Sequence, residues 1–400
     1  MSQSTSTSRS APALLLSKLP DVGLSIFAQM TQLAQETGAI NLAQGFPDYD
    51  PPQELLEALA HYARTPGYHQ YAPMPGLPRL REAIAAQVAR LQADAPAPDP
   101  ATEITITAGA TEGLYAVLAA VVRPGDEVVV LEPAYDLYGP AIRLQGGVPR
   151  YVRMPAPEFR PDWDALRRVL STRTRLVIVN TPHNPSGALF TAADWAELHR
   201  LLAGTDAFVL SDEVYEHLVF DGARHISARQ HAGLRERSFV LSSFGKTYHA
   251  TGWKAGYCIA PPALTTEVRR VHQFLTFSVS TPTQHALADA LAADPDDAHA
   301  RSLAGFYQAK RDQFRQLLAG PDWELLPVPG GYFQLARHRT FAGGSDLALA
   351  QQLAREQGVA VVPVSAFYHD GYDEGIVRFC FAKQAQTLTA AAERLRGGSW

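Results

Sequence analysis

Strand-like and helix-like runs alternate through the middle of the chain, and this alternation constrains the fold more than any other feature. Helical patterns such as residues 112–122 and 192–202 separate most of the strand-like runs. Such alternation is typical of a mainly parallel sheet with crossover helices on both faces. The sequence therefore predicts a large α/β domain with strands near residues 104–107, 128–131, 148–152, 176–180, 208–210, 239–241 and 256–260.

The two ends of the chain predict a smaller α+β unit. Residues 24–37 form an amphipathic helical pattern that ends at Gly38, and we expect this helix to pack with the C-terminal part. Further strands are expected near residues 332–335, 359–364 and 376–381. We predict four parts, namely a disordered tail at 1–20, an N-terminal segment of the small domain at 21–50, the large domain at 51–290 and the small domain at 291–400.

Composition excludes several classes of protein. With 400 residues, 46% of them hydrophobic, the chain can bury a large core in two or three domains. A formal net charge of −5 without a basic stripe argues against nucleic-acid binding, and no run approaches the roughly 20 apolar residues of a membrane span. Cys258 and Cys380 lie in apolar runs and are expected to be reduced, which favours the cytoplasm. A short organelle-targeting sequence is the alternative interpretation of the N-terminal tail.

Lys246 lies between two other groups that could bind an anion. The hydroxyl of Ser243 precedes it by three positions, and Lys254 follows it by eight. An amine that attacks an aldehyde must be deprotonated, while Ser243 and Lys254 could hold a phosphate dianion at the far end of the same ligand. Solvated surface lysines are the alternative. Strand-like runs on both sides favour the functional interpretation, because they place the loop between buried strands.

The residues Gly245-Lys246-Thr247 also resemble the end of a nucleotide-binding P-loop. A P-loop requires a glycine five positions before its last glycine, so that the backbone can wrap around the phosphates. Position 240 is Val. The nucleotide interpretation therefore fails.

Two further clusters follow predicted strands, at the edge where ligands of such sheets bind. Gly109 permits a tight turn before a helix, so that the amides of Ala110 and Thr111 could face a phosphate. Asn184 lies in a loop with two proline turns and could donate a hydrogen bond to a phenolic oxygen on a cofactor ring. Ordinary structural turns are the alternative in both places.

Two charged side chains lie on or at the end of apolar strands. Asp212 ends a hydrophobic run, where a carboxylate is costly to bury unless it has a partner such as a protonated pyridine nitrogen. Tyr215 would join Asn184 at the ring oxygen, and a helix N-cap at Asp212 is the alternative. Arg378 could bind a substrate carboxylate through two hydrogen bonds, although a structural salt bridge remains open.

Taken together, these residues resemble the class I/II aminotransferases, the fold-type I pyridoxal phosphate enzymes, from about residue 24 to residue 381. The branch of methionine and kynurenine aminotransferases is the most similar one. The motifs that carry this similarity are NLAQGFPD at 41–48, QYAPMPG at 70–76 and FGKTY at 244–248. The wider family usually has arginine at the position of Lys254, whereas this branch resembles the present chain in having lysine.

The resemblance implies pyridoxal 5'-phosphate as the cofactor, no metal, and Lys246 as the residue that forms the Schiff base. It also implies that Tyr135 stacks on the cofactor ring and that Gly45 offers its backbone to the substrate carboxylate beside Asn184 and Arg378. Tyr71 would reach the phosphate in the neighbouring subunit, so a homodimer with shared sites is expected. A core aromatic is the alternative for Tyr71.

The expected reaction is a ping-pong transamination, in which Lys246 moves the proton between the substrate α-carbon and the cofactor. Methionine, aromatic amino acids and kynurenine are the favoured donors, and a 2-oxo acid is the acceptor. A pyridoxal phosphate-dependent β-lyase acting on a cysteine conjugate or cystathionine is the nearest alternative. A regulator that merely retains the cofactor site is a more distant one.

Overall fold

The computed structural model describes residues 16–341 and 344–396, so most of the predicted tail lies outside the described residues. The fourteen α-helices in this part are α1 Ile26–Thr37, α2 Gln53–Arg64, α3 Pro78–Leu91, α4 Gly109–Val121, α5 Tyr138–Leu144, α6 Trp163–Val169, α7 Ala192–Leu202, α8 Ala232–Arg235, α9 Phe244–Thr247, α10 Pro262–Leu275, α11 Thr281–Ala293, α12 Ala298–Leu318, α13 Asp346–Glu356 and α14 Ala385–Arg396. Within the same residues, no helix has the length and apolar character that a membrane crossing requires.

The strands of the described residues form three sheets. They are β1 Ile40–Asn41, β2 Ile104–Thr107, β3 Glu127–Glu132, β4 Val148–Arg153, β5 Thr174–Asn180, β6 Phe208–Asp212, β7 Ser238–Ser243, β8 Gly256–Ile259, β9 Trp323–Leu325, β10 Phe333–His338, β11 Val359–Ala360, β12 Val362–Pro363 and β13 Ile376–Cys380.

The largest sheet contains seven strands in the order β2-β8-β7-β6-β5-β3-β4. Strand β8 is antiparallel to both neighbours, and the other pairs are parallel. Both faces are covered. Along β7, Phe239 and Leu241 belong to one hydrophobic cluster with α4 and α10, whereas Val240 belongs to another with α6 and α7. The predicted mainly parallel α/β sheet is confirmed.

The ends of the chain meet in the smaller sheets. Strand β1 pairs in parallel with β11, matching Ile40 with Val359, and β12, β13, β10 and β9 form an antiparallel sheet. Ser25 caps the start of α1, and Gly38 ends it with a left-handed φ of 64°, so the predicted N-terminal helix is confirmed. The domain boundaries at residues 50 and 290 stay predictions.

One detail of the sequence interpretation is wrong. The run 359–364 is two strands rather than one, since β11 pairs with β1 and β12 pairs with β13 in another sheet. All six of its residues are apolar, so no alternation marks where the chain changes partner.

Candidate active site

A cavity of about 290 Å³ opens at the carboxyl ends of β5, β6 and β7. Ligands of parallel sheets bind at this edge. Twelve of the thirteen predicted site residues line it, namely Gly45, Gly109, Ala110, Thr111, Tyr135, Asn184, Asp212, Tyr215, Ser243, Lys246, Lys254 and Arg378. The structure therefore brings together residues that lie up to 333 positions apart in the sequence.

Lys246 is carried by the short helix α9, directly after β7. Its Nζ donates hydrogen bonds to Tyr332 Oη at 2.8 Å and to the carbonyl oxygen of Gly45 at 3.1 Å. Burial disfavours the charged form and lowers the pKa of Lys246 to about 8. Its amine is thus far closer to the neutral, nucleophilic state at physiological pH than a solvated lysine is.

Asp212 is the last residue of β6 and is buried. Its Oδ2 accepts a 2.7 Å hydrogen bond from Tyr138 Oη, and the amide of Val214 is 3.4 Å from its other oxygen. Burial raises the pKa of Asp212 to about 6 despite these donors. A turn rather than a helix follows, so Asp212 is not a helix N-cap. A cation in the cavity would stabilise its charged form.

Asn184 and Tyr215 supply hydrogen-bond donors beside Asp212. The Oδ1 atom of Asn184 accepts a 2.7 Å hydrogen bond from Arg378, which leaves its amide hydrogens for the cavity. Asn180 fixes this loop, because its Oδ1 accepts from the Asn184 amide while its Nδ2 donates to the Asp212 carbonyl. Burial raises the pKa of Tyr215, so its phenol keeps its proton. Two donors suit an anionic ring oxygen.

The opposite end of the cavity is built to hold an anion. Helix α4 begins at Gly109, and its N-cap residue Ala108 has no side chain that could cap it. Gly109, Ala110 and Thr111 of its first turn line the cavity, where free backbone amides suit an anion. The Nζ of Lys254 lies 3.5 Å from Thr111 Oγ1. Gly109 has a φ of +73°, and a Cβ there would lie 3.3 Å from Lys254 Nζ. Ser243 also lines the cavity. We call Gly109, Ala110, Thr111, Ser243 and Lys254 the anion cradle.

Arg378 occupies the middle of β13, paired with Leu335 on one side and Val362 on the other. Its Nη1 binds Asn184 and its Nη2 donates to the Ala43 carbonyl at 2.9 Å. The buried Nε has no hydrogen-bond partner among the described residues, and none of their carboxylates forms an ion pair with this guanidinium. Burial lowers the pKa of Arg378 to about 10. A buried cation without an ion-paired carboxylate among the described residues favours an incoming carboxylate over the structural salt bridge.

Tyr71 is the predicted residue that the structure does not bring to the cavity. It is 83% exposed, and among the rings of residues 16–341 and 344–396 it meets only Phe277, edge-on with centroids 5.3 Å apart. This excludes a core position within the described chain. Whether Tyr71 reaches a second subunit stays a prediction.

Sequence reasoning missed several residues of the site. Tyr138 binds Asp212, Tyr332 binds Lys246, and Phe27 and Phe333 place aromatic rings beside the Arg378 guanidinium, at 5.0 and 3.9 Å. Tyr138 carried a weak signal, since it lies one helical turn after Tyr135 near a strand end. The others are aromatic residues in apolar surroundings and resemble ordinary core residues.

The side chains present fit pyridoxal phosphate. The anion cradle suits its phosphate, and the carboxylate of Asp212, whose pKa is raised by burial, suits a protonated ring nitrogen. The amine of Lys246 lines the same cavity and is about half deprotonated near pH 8. The phosphate, the ring nitrogen and the aldehyde of the cofactor require an anion site, a carboxylate and a nucleophilic amine, respectively. Asp212 ends β6, Lys246 lies on α9, and the anion cradle combines the start of α4 with Ser243 at the end of β7 and with Lys254.

Comparison with known proteins gives the same result over nearly the whole chain. Residues 37–395 match the family model for aminotransferase class I and II. A methionine aminotransferase of Escherichia coli is 50% identical over 385 residues, which cover 96% of this chain and 98% of that protein. A kynurenine–oxoglutarate transaminase of Dictyostelium discoideum is 32% identical and covers 93% of this chain and 94% of its own length.

Solved structures agree. A crystal structure of the Escherichia coli protein, described as having methionine aminotransferase function, superimposes with a TM-score of 0.93 and covers 96% of this chain and all of that one. N-succinyldiaminopimelate aminotransferase of Mycobacterium tuberculosis, at 38% identity, gives a TM-score of 0.90 over 96% and 99% of the two chains. The present chain therefore belongs to the class I and II aminotransferases, and it is a pyridoxal phosphate-dependent enzyme that transfers amino groups between amino acids and 2-oxo acids.

Proposed function

We propose that the preferred amino donors are methionine and other L-amino acids with large apolar side chains, including aromatic amino acids and kynurenine. The observation that carries this proposal is the composition of the cavity wall. Among the described lining residues, Arg378 is the one arginine, and Phe27, Leu114, Val214 and Phe333 add apolar surface. A second substrate carboxylate would have no obvious counter-charge there, because Lys254 belongs to the anion cradle. The 50% identity to a methionine aminotransferase points the same way.

The site residues have distinct proposed roles. Arg378 and the backbone of Gly45 bind the α-carboxylate, the anion cradle binds the cofactor phosphate, and Tyr135 stacks on the cofactor ring. Asp212 holds the proton of the ring nitrogen, while Asn184 and Tyr215 donate to the phenolic oxygen. When bound, pyridoxal phosphate supplies the carbonyl group that accepts the amine and a ring that takes up the electron pair released at the α-carbon.

Lys246 is the proposed proton carrier. Its Nζ removes the proton from the substrate α-carbon and returns a proton later, which requires a pKa near the working pH. The lowered pKa of about 8 meets that requirement.

An absorption experiment tests the donor preference. The protein loaded with cofactor is mixed with methionine in the absence of any oxo acid, and the visible band of the bound cofactor should be replaced by the shorter-wavelength band of its aminated form. Aspartate is the matched control, and we expect its conversion to be at least ~10-fold slower, since a buried unpaired carboxylate costs at least 1–3 kcal/mol. Faster conversion with aspartate would refute the proposal. Release of pyruvate and ammonia from a cysteine conjugate as the main reaction would instead indicate the β-lyase.

We also propose a homodimer in which Tyr71 reaches the anion cradle of the partner. The support is a cluster of exposed apolar side chains around Tyr71, because Phe274 is 85% exposed and Leu275 and Phe277 are also exposed. Contiguous exposed apolar surface of this kind marks interaction sites.

Subunit mixing tests the shared site. Tyr71→Ala and Lys246→Ala proteins are each expected to be nearly inactive. After unfolding and refolding together, hybrid dimers would contain one site with both native residues, so about a quarter of the wild-type activity should return. A mixture that regains no activity while still forming dimers would show that Tyr71 does not act across the interface.

A cytoplasmic location is proposed on a narrower basis. Cys258 and Cys380 are both buried and free. Buried thiols of this kind are typical of proteins from reducing compartments. Fractionation of the native cells tests this location. Detection of the protein in a secreted or membrane fraction would contradict it.

A further inference from the structure

The hydroxyl group of Tyr332 lies directly between two parts of the site. Tyr332 is fully buried and immediately precedes β10. Its Oη is 2.8 Å from Lys246 Nζ and donates a short hydrogen bond to the carbonyl oxygen of Gly45, and Nζ is itself 3.1 Å from that carbonyl. Amine, phenol and carbonyl thus form a closed triangle whose corners come from three distant parts of the chain.

The hydrogens of this triangle can be assigned from valence alone. A phenol has one hydrogen, and here it points to Gly45, so Tyr332 can only accept from Lys246. A neutral amine has two hydrogens and one lone pair. The Tyr332 and Gly45 oxygens are hydrogen-bonded to each other and lie close together as seen from Nζ, so one side of the amine faces both oxygens. Nζ is thereby held at this wall of the cavity, and its other positions are left for the cavity.

We propose that Tyr332 is a positioning residue that holds Nζ of Lys246 in a fixed place at the cavity wall whenever this nitrogen is not bonded to the cofactor. This inference rests on the proposed role of Lys246 as the proton carrier. The same contact serves the return of the proton, because the ammonium form can donate to the same oxygens and stays in the same place.

The surroundings hold Tyr332 in this role. Its ring packs edge-on against Tyr215, with centroids 5.0 Å apart, and it also contacts Tyr307 and Phe333. Burial raises the pKa of the Tyr332 phenol, so the hydroxyl stays protonated. A misplacement of a reacting atom by about 1 Å can lower the rate about 100-fold. A fixed acceptor that holds the flexible lysine side chain in place should therefore increase the rate of proton transfer.

The Tyr332→Phe variant tests the proposal, because phenylalanine keeps the ring contacts and removes the acceptor. Tyr307→Phe is the matched control. Tyr307 is also fully buried, but its hydroxyl bonds to Tyr49 at 2.9 Å and to His249 at 3.1 Å rather than to Lys246. Thermal unfolding of both variants, compared with the wild type, measures the stability cost of losing a buried tyrosine hydroxyl.

The first measurement uses protein from which the cofactor has been removed. Acetylation of Lys246 by acetic anhydride is followed against pH by mass spectrometry of the peptide that contains it. Loss of an acceptor disfavours the ammonium form. We therefore expect the midpoint to fall by at least about half a pH unit in Tyr332→Phe and to stay at the wild-type value in Tyr307→Phe.

The second measurement uses the loaded enzyme and whichever amino acid it turns over fastest. Tyr332→Phe should lower kcat by about 10- to 100-fold, leave KM and the cofactor Kd within about threefold, and raise the isotope effect of an α-deuterated substrate. Wild-type values for both kcat and the acetylation midpoint would overturn the proposal, as would an equal fall of kcat in Tyr307→Phe. Neither measurement depends on methionine, so failure of the proposed donor preference would be recognised separately.

Discussion

Tyr138 Oη donates a 2.7 Å hydrogen bond to Oδ2 of Asp212, and both groups are buried. A neutral phenol orients the carboxylate but supplies no positive charge. The pKa of Asp212 therefore stays raised by burial, at about 6. The protein without cofactor keeps a carboxylate in a place that favours its neutral form, and this conflict has measurable consequences.

We predict that Asp212→Asn stabilises the cofactor-free protein above pH 6 while it weakens cofactor binding. The folded pKa of about 6 exceeds the ordinary value of 3.8. The wild type is therefore penalised as pH rises from 3.8 through 6, because folding favours the protonated carboxyl group. The difference between these values is worth at most about 3 kcal/mol. Asparagine carries no such penalty and can still accept from Tyr138.

Thermal unfolding of the two cofactor-free proteins between pH 4 and pH 8 checks this prediction. Above pH 6, the Tm of Asp212→Asn should exceed that of the wild type by a few degrees. This difference should shrink towards zero near pH 4. If Asp212→Asn is less stable than the wild type at pH 8, the charge of the Asp212 carboxylate is already stabilised by other groups in the cofactor-free protein. Cofactor titration of the same samples gives the loss of affinity.

Gly109→Ala should weaken cofactor binding by at least about 10-fold. A left-handed φ of +73° costs alanine roughly 1–2 kcal/mol, and the added Cβ would crowd Lys254 Nζ at 3.3 Å and displace it from the anion cradle. Gly204→Ala separates these effects, because Gly204 has a φ of +79° and open space around its Cβ position. Both variants should lose similar stability in thermal unfolding. Equal cofactor Kd values in the two would contradict the role of the cradle.

Arg378→Lys should raise KM for the amino acid by about 10- to 100-fold and leave the cofactor Kd within about threefold. Lysine keeps the charge but cannot bind Asn184, the Ala43 carbonyl and a carboxylate at once. A hydrogen bond to a charged group contributes about 1.5–3 kcal/mol, which sets the range. Steady-state kinetics and cofactor titration measure the two quantities. Loss of the cofactor with an unchanged KM would place Arg378 in a structural role.

Lys246→Ala should abolish transamination, with a loss of at least ~10²–10⁴-fold for the proton transfer alone. Removal of a buried amine whose pKa is lowered by burial should not unfold the protein. Lys18→Ala is the control, since Lys18 is exposed and far from the cavity in sequence. Coupled assays for the oxo acid product, together with circular dichroism, make the comparison. Retained turnover in Lys246→Ala would remove the basis of the mechanism.

Sequence patterns predicted the fold class and the edge of the sheet where the cavity lies, for a simple reason. A charged or small polar residue at the end of a buried strand, such as Asp212 or Ser243, contrasts with the apolar run before it. Carboxyl ends of parallel strands meet at one edge, so these contrasts also predicted which residues converge.

The residues that escaped prediction are aromatic, and two of them act through one polar atom. Tyr138 and Tyr332 bury their rings in apolar clusters and differ from core tyrosines only in the direction of a hydroxyl. That direction depends on contacts with Asp212 and Lys246, which lie 74 and 86 positions away. The partner change between β11 and β12 escaped for a related reason, because neighbouring apolar residues do not reveal which strand each will meet.

The parallel pairing of β1 with β11 also sets an order of events in time. Asn41 pairs with Ala360, so the first half of this ladder is synthesised more than 300 residues before the second. At about 5–20 residues per second, the ribosome needs on the order of tens of seconds to supply the missing strand. During that interval the large sheet can already form, while β1 and the following segment with Gly45 lack the pairing with β11. The site around Lys246 can therefore close only late in synthesis, after β11 has emerged.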